Sequence, residues 1–250
     1  LTLQEKYGKN QPAGIFSYKI NNIPFHISLG VSPLKKPHIE LEKFENLTAK
    51  GKKRIPEICD AAARVFSEKG YLAASLGDIA HGAGLTKGGI YHYFSTKEEL
   101  LFLILYRYMD STLQALKKKL EACKTPYEKI YVFIHHHIKN YQENQAESRL
   151  ALNERVNLPA KYLDDIKVLE REYRGILRSL IEPIMGGRKK TPERITLAAY
   201  TLLGMCTLPY AWYNPKGKVA PKELGDLIYK IFVGGLENRD LLLPKRPNPL

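Results

Sequence analysis

A series of helix-start signals beginning near residue 48 limits this chain more than any other feature. Ser75 stands three residues before Asp78 and Ser95 three before Glu98. Thr125 stands three before Glu128, with Pro126 between them. Each pair can form a reciprocal cap, in which a hydroxyl accepts a backbone N–H and the acid reaches back to the cap's own N–H. Further starts lie just inside Pro159, Pro192 and Pro221, at positions where a helix has no use for the missing N–H. Ile58, Ala61, Ala62, Val65 and Phe66 recur at three- and four-residue spacing, the period of one helix face. Gly70 after Lys69 ends that helix, and Gly84 marks a turn. Nothing beyond residue 48 has the period of a strand, so the expected fold is all-α.

Residues 1–47 differ. Pro12, Pro24, Pro33 and Pro37 alternate with Gly8, Gly14 and Gly30. Prolines interrupt strands, and no helical period survives there, so the segment is read as an irregular extension or a weak hairpin. The remaining divisions are 48–97, 98–240 and a tail at 241–250. No basic region leading into an apolar run opens the chain, so no signal peptide is expected.

With 250 residues, 44% of them hydrophobic, the chain can bury a core without disulfide or metal support. The formal charge of +13 points to an anionic partner such as nucleic acid or a membrane surface. Cys59, Cys123 and Cys206 lie far apart and form no CxxC, which fits a reducing, cytoplasmic setting. No residue is charged between Arg194 and Asn214. That length approaches a membrane span, but threonines, tyrosines and a proline dilute it, and a buried helix is the reading adopted.

Three short helices in residues 48–97, the last two joined by a Gly turn, make a helix-turn-helix. Ile79, Ala80, Ala83, Leu85 and Ile90 would pack on the first helix through Val65 and Phe66. Small Ala80 and Gly84 would let the short helices cross closely. The outer face would then carry Thr86, Lys87, Gly88, Gly89, Tyr91 and His92 toward a major groove. Ser75 caps the second helix, and Lys97 opens the long helix that follows, expected to run to about Leu120.

The runs Asp78-Ile79-Ala80, Ala83-Gly84-Leu85 and Lys87-Gly88-Gly89-Ile90-Tyr91-His92-Tyr93-Phe94, then Ser95-Thr96-Lys97-Glu98-Glu99-Leu100, resemble the DNA-binding domain of TetR-type transcriptional regulators. The resemblance covers roughly residues 50–105. It implies an all-helical homodimer whose two recognition helices read a near-palindromic, double-stranded operator. It also implies a larger C-terminal domain for dimerisation and for a small-molecule effector. Carried onto this chain, Thr86 and Tyr91 would touch phosphates. Lys87, Gly88 and His92 would face bases or backbone, and Tyr93 and Lys97 would clamp the flanking strand; Ser75 joins this set. Gly77 and Gly89 depart from the family pattern. The adjacent Gly88 and Gly89 serve either close approach to DNA or relief of crowding. Lys52-Lys53-Arg54 either reach a phosphate or form a solvated run.

The last helical patterns, 192–213 and 221–236, would form a four-helix interface with their symmetry mates. Trp212-Tyr213-Asn214-Pro215, together with Asn153-Glu154-Arg155 and Tyr173-Arg174, resembles the acyl-CoA-responsive branch that controls fatty-acid and steroid degradation. CoA needs basic residues at a pocket mouth. Arg171, Arg174 and Arg178 share one helix face, either for that purpose or as a solvated stripe paired with Glu170 and Glu172. Phe133, Tyr173, Met205 and Trp212 would line an apolar channel, with His137 and Asn153 as polar members. His135, His136 and His137 point about 100° apart on a helix and cannot share one ion. No metal and no cofactor are expected.

The sequence reading is therefore a cytoplasmic repressor, released from its operator by an acyl-CoA or related ligand. A repressor sensing a lipophilic drug-like compound is the alternative within the class, and a helical enzyme the alternative outside it. The chain holds no GxSxG, no HExxH and no phosphate-cradling Gly loop.

Overall fold

The computed structural model describes residues 15–20, 23–28, 47–185 and 190–237. Within the extension, β1 (Ile15–Ile20) pairs antiparallel with β2 (Ile23–Ser28), Ile15 opposite Ser28 and Ile20 opposite Ile23. Pro24 lies in the ladder opposite Lys19. A two-stranded ribbon has only edges, where proline is tolerated, so here it does not break the strand. The rest of the extension and the tail at 241–250 lie outside the described residues.

The described residues from 47 onward are helical. The chain divides into two compact units, Leu1–Leu103 with Asn157–Asp165, and Ile104–Val156 with Ile166–Leu250.

The first unit contains α1 (Ala49–Lys69), α2 (Leu76–Gly82), α3 (Lys87–Ile90) and the opening turns of α4 (Lys97–Glu121). Thr48 caps α1 by accepting the Gly51 N–H, and Ser75 and Asp78 close the expected capping box on α2. Ile55, Ile58, Ala62 and Phe66 of α1, Ile79 and Ala80 of α2, Ile90 of α3 and Phe94 are all buried, and α2 packs against both α1 and α3. Burying each isoleucine or phenylalanine of this set contributes about 1.5–3 kcal/mol. Two glycines set the turns. Gly70 has φ 81° and Gly84 φ 63°, a region where a Cβ is strained. A Cβ on Gly84 would meet nothing within 4 Å, so Gly84 serves the backbone conformation rather than the close crossing expected of it.

The cap of α4 falls one residue later than expected. Thr96, not Ser95, accepts the N–H of Glu99, and the Glu99 carboxylate accepts the N–H of Ser95 at 2.8 Å. Glu98, the expected partner of Ser95, instead accepts the Tyr71 hydroxyl.

The second unit holds the rest of α4, then α5 (Pro126–Glu143), α6 (Gln145–Asn153), most of α7 (Ala160–Ile181), α8 (Pro192–Thr207) and α9 (Pro221–Glu237). Thr125 and Glu128 form the expected box on α5. The core joins Leu116, Phe133 and Ile134 to Leu177, Ile181, Leu202, Ile228 and Phe232. The expected 192–213 helix stops at Thr207, and a 3₁₀ turn follows at Leu208–Ala211. Pro209 cannot continue an α-helix, which accounts for the break. No helix among the described residues is long and apolar enough to cross a membrane.

Candidate nucleic-acid interface and effector site

The helix-turn-helix places one side of α3 in the core and the other in solvent. Ile90 and Phe94 are fully buried. Thr86, Lys87, Gly88, Tyr91 and His92 are exposed, with Gly89 and Tyr93 half-buried. The Thr86 hydroxyl accepts the N–H of Gly89 at 3.0 Å and so caps α3. A Cβ on Gly89 would sit 3.1 Å from that oxygen, so this glycine does relieve crowding. A Cβ on Gly88 would meet nothing, so its missing side chain serves no packing inside the unit. Ser75 is exposed, but its hydroxyl is committed to Asp78. Lys69 and Ser75 together hold the Asp78 carboxyl far below the usual carboxylate range.

Lys97, expected to clamp the flanking strand, is engaged inside the unit. Its ammonium donates to the carbonyls of Tyr71, Leu72 and Ala74 at 2.9, 3.0 and 3.2 Å. It also lies over the Tyr71 ring, 4.6 Å from the centroid. All three of its donors therefore hold the turn between α1 and α2. Lys97→Met is expected to lower stability by about 2 kcal/mol, read by urea unfolding. A variant of unchanged stability that binds operator weakly would return Lys97 to the DNA contacts. The basic run before it divides as well. Arg54 is tied to Glu57 and to the Ala83 carbonyl, whereas Lys53 is exposed.

In the second unit, three expected ligand residues come together. Phe133 is fully buried, with its ring 5.2 Å from that of Tyr173. His137 Nδ1 lies 3.0 Å from the Tyr173 hydroxyl and its Nε2 3.1 Å from Thr207 Oγ1. Burial, with a smaller effect of His136, pushes the His137 imidazole down to about 4, so it is neutral near pH 7. Burial also pushes the Tyr173 phenol far up and the neighbouring Cys206 thiol to about 12. Yet His137, Tyr173 and Thr207 all keep uncovered surface. Met205 packs at the margin of the same core.

The other candidates lie elsewhere. Trp212 is 65% exposed, with its ring edge-to-face against Tyr213, so it does not line the channel assigned to it. The proline-ended α8 leaves that segment as a surface turn. Asn153 and Arg171 are exposed, and Arg174 is held by Glu170, which also binds Arg155. Glu172 pairs with Lys117 rather than with an arginine.

The three consecutive histidines go to three different neighbours. His135 meets Asp226, His136 bridges the Thr112 carbonyl and Lys119, and His137 joins the interior chain. Sequence reasoning missed Thr207 and a second polar network. In that network, Tyr108 bonds Ser148 at 2.7 Å, and Asn140 donates to both Tyr108 and Thr112. The i, i+4 pairing of Tyr108 with Thr112 was the available signal.

A basic helix-turn-helix unit followed by a separate helical unit defines a DNA-binding transcriptional regulator rather than an enzyme. Residues 58–104 match the family model described as bacterial regulatory proteins, tetR family. Residues 123–236 match the tetracyclin repressor-like C-terminal domain. The chain belongs to the TetR family. It is 26% identical over 192 residues to the HTH-type transcriptional repressor KstR2 of Mycobacterium tuberculosis H37Rv, covering 73% of this chain and 92% of that one. A TetR/AcrR-family regulator from Thermobifida fusca is 31% identical, with TM-score 0.57 over 73% of this chain and 97% of that one. AibR, solved in complex with isovaleryl coenzyme A and operator DNA, is 25% identical, with TM-score 0.65 over 71% and 97%.

Proposed function

We propose that this protein is a cytoplasmic, homodimeric repressor that an acyl-CoA or related lipid-derived effector releases from its operator. The observation that carries the DNA side is the two-sided α3. Ile90 and Phe94 anchor it, while Thr86, Lys87, Gly88, Tyr91 and His92 face outward. Bare Gly88 lets the backbone come close to DNA. In this reading residues 48–97 bind the operator, and residues 98–240 hold the effector and the partner subunit.

The dimer reading rests on an uncovered apolar face. Leu197, Tyr200 and Leu208 of α8 and the turn after it, with Leu227 and Ile231 of α9, are all more than half exposed. Their spacing is that of one stripe on each helix. Gly204 and Gly234 lie along the same stripes, and a Cβ on either would meet nothing within 4 Å. The effector reading draws on the cluster of buried Phe133 with half-buried His137 and Tyr173. It draws also on KstR2 as a repressor and on AibR with its CoA thioester.

The test is a fluorescence-anisotropy titration with DNA from the protein's own upstream region, with and without acyl-CoA thioesters. Tight, salt-sensitive binding that a thioester releases is the expected result. Binding that no thioester releases, but that a lipophilic drug-like compound does, would replace the effector class. Tyr91→Ala and Lys87→Ala are each expected to weaken operator binding about ten-fold with unchanged thermal unfolding. Undiminished binding by both would remove α3 from the interface.

A further inference from the structure

His137, Tyr173 and Thr207 reach one point from α5, α7 and α8. Their two contacts, 3.0 Å at Nδ1 and 3.1 Å at Nε2, form a single chain. A neutral imidazole brings one N–H, and the two hydroxyls bring one O–H each. Three protons therefore share two contacts. If Nδ1 carries the ring proton, Thr207 donates to Nε2, and the Tyr173 O–H is left over. If Nε2 carries it, Tyr173 donates to Nδ1, and the Thr207 O–H is left over. Neither hydroxyl has another acceptor among the described residues. A protonated ring would leave both hydroxyls over, so the surplus does not depend on the ionisation of the ring.

The surroundings make that surplus costly. Phe133 is fully buried against Tyr173, and Cys206 is buried beside them. A donor in such a place calls for an acceptor. No described residue supplies one, yet all three residues keep uncovered surface at which an incoming atom can arrive. Among the described residues no lysine or arginine bonds to any of the three, so the site suits a neutral oxygen rather than a carboxylate.

We propose that the Tyr173–His137–Thr207 chain receives a neutral hydrogen-bond acceptor, a ketone or hydroxyl oxygen carried on the lipophilic part of the effector. This rests on the reading of the second unit as an acyl-thioester site. It adds that the acyl group is oxygenated, not a plain saturated chain. A saturated chain would bury the surplus donor unmet, and a site built to bond an oxygen discriminates against the analogue that lacks it.

The experiment compares decanoyl-CoA with oxodecanoyl-CoA isomers whose ketone is moved along the chain. Direct binding to the full-length protein is measured by calorimetry, and operator release by anisotropy. The expected result is one isomer binding about ten-fold or more tighter than decanoyl-CoA. Tyr173→Phe and Thr207→Val each remove one proton and one contact, so the leftover donor passes to the vacated ring nitrogen or to the remaining hydroxyl; read as affinity ratios within each variant, at least one of them should change which oxo isomer is preferred. Thermal unfolding close to that of the unaltered protein shows that both variants are folded. Equal binding of saturated and oxo chains would overturn the proposal and leave the thioester reading standing. So would an isomer preference that neither substitution alters. If none of the thioesters binds, both readings fall together.

Discussion

Replacing Leu227 and Ile231 together by Asp is expected to leave a folded monomer with operator affinity at least about a hundred-fold below that of the unaltered protein. Both side chains are more than half exposed, so the substitutions remove nothing from the core. Leu224, Ile228 and Phe232, on the adjoining face of α9, stay buried and hold the helix in place. In a dimer the same two positions would be enclosed, and each new carboxylate would have to give up its water without a partner. Loss of the dimer separates two recognition units that otherwise bind one operator as a linked pair, and that linkage supplies most of the affinity. Light scattering at micromolar concentration reads the mass, and anisotropy reads the DNA. A variant that remains dimeric would remove this face from the interface.

The second large effect is a pH dependence centred on His137. Its folded-state value of about 4 lies below the ordinary value of 6.5. Between those values the unfolded chain takes up a proton that the folded chain refuses. Stability therefore rises with pH through this window, and it is lost as pH falls from above 6.5 toward 4. From about pH 7 to about pH 5, this one group should cost about 2 kcal/mol of unfolding free energy. His135 and His136 are also lowered by burial and add to the same trend. Urea unfolding at both pH values, with His137→Gln beside the unaltered protein, isolates the contribution. The variant should lose about 2 kcal/mol less over that interval. Parallel losses would mean that His137 is charged in the folded protein.

Most of the fold was legible because helix ends are governed by near neighbours. Ser75 with Asp78 and Thr125 with Glu128 cap as their spacing demands, and Gly70 and Gly84 sit where positive φ is needed. The outward Thr86, Lys87, Tyr91 and His92 follow from the same local arithmetic, because Ile90 and Phe94 fix which side of α3 faces inward. The failures came where a distant group competed. Tyr71, more than twenty residues away, takes Glu98 and shifts the cap of α4 to Thr96 and Glu99. The turn carbonyls at Tyr71, Leu72 and Ala74 take Lys97. Trp212 is a large aromatic beside the apolar α8, yet it points to solvent because Pro209 ends that helix first.

Caps, turns, helical stripes and the recognition face are thus properties of the chain read a few residues at a time. They rest on hydrogen bonds and side-chain directions that span no more than a turn of helix. The meeting of His137, Tyr173 and Thr207, and the surplus proton they share, is not of that kind. It depends on how α5, α7 and α8 pack. That packing is set by the volumes of Phe133, Leu177 and Leu202, which the spacing of residues along the chain does not specify.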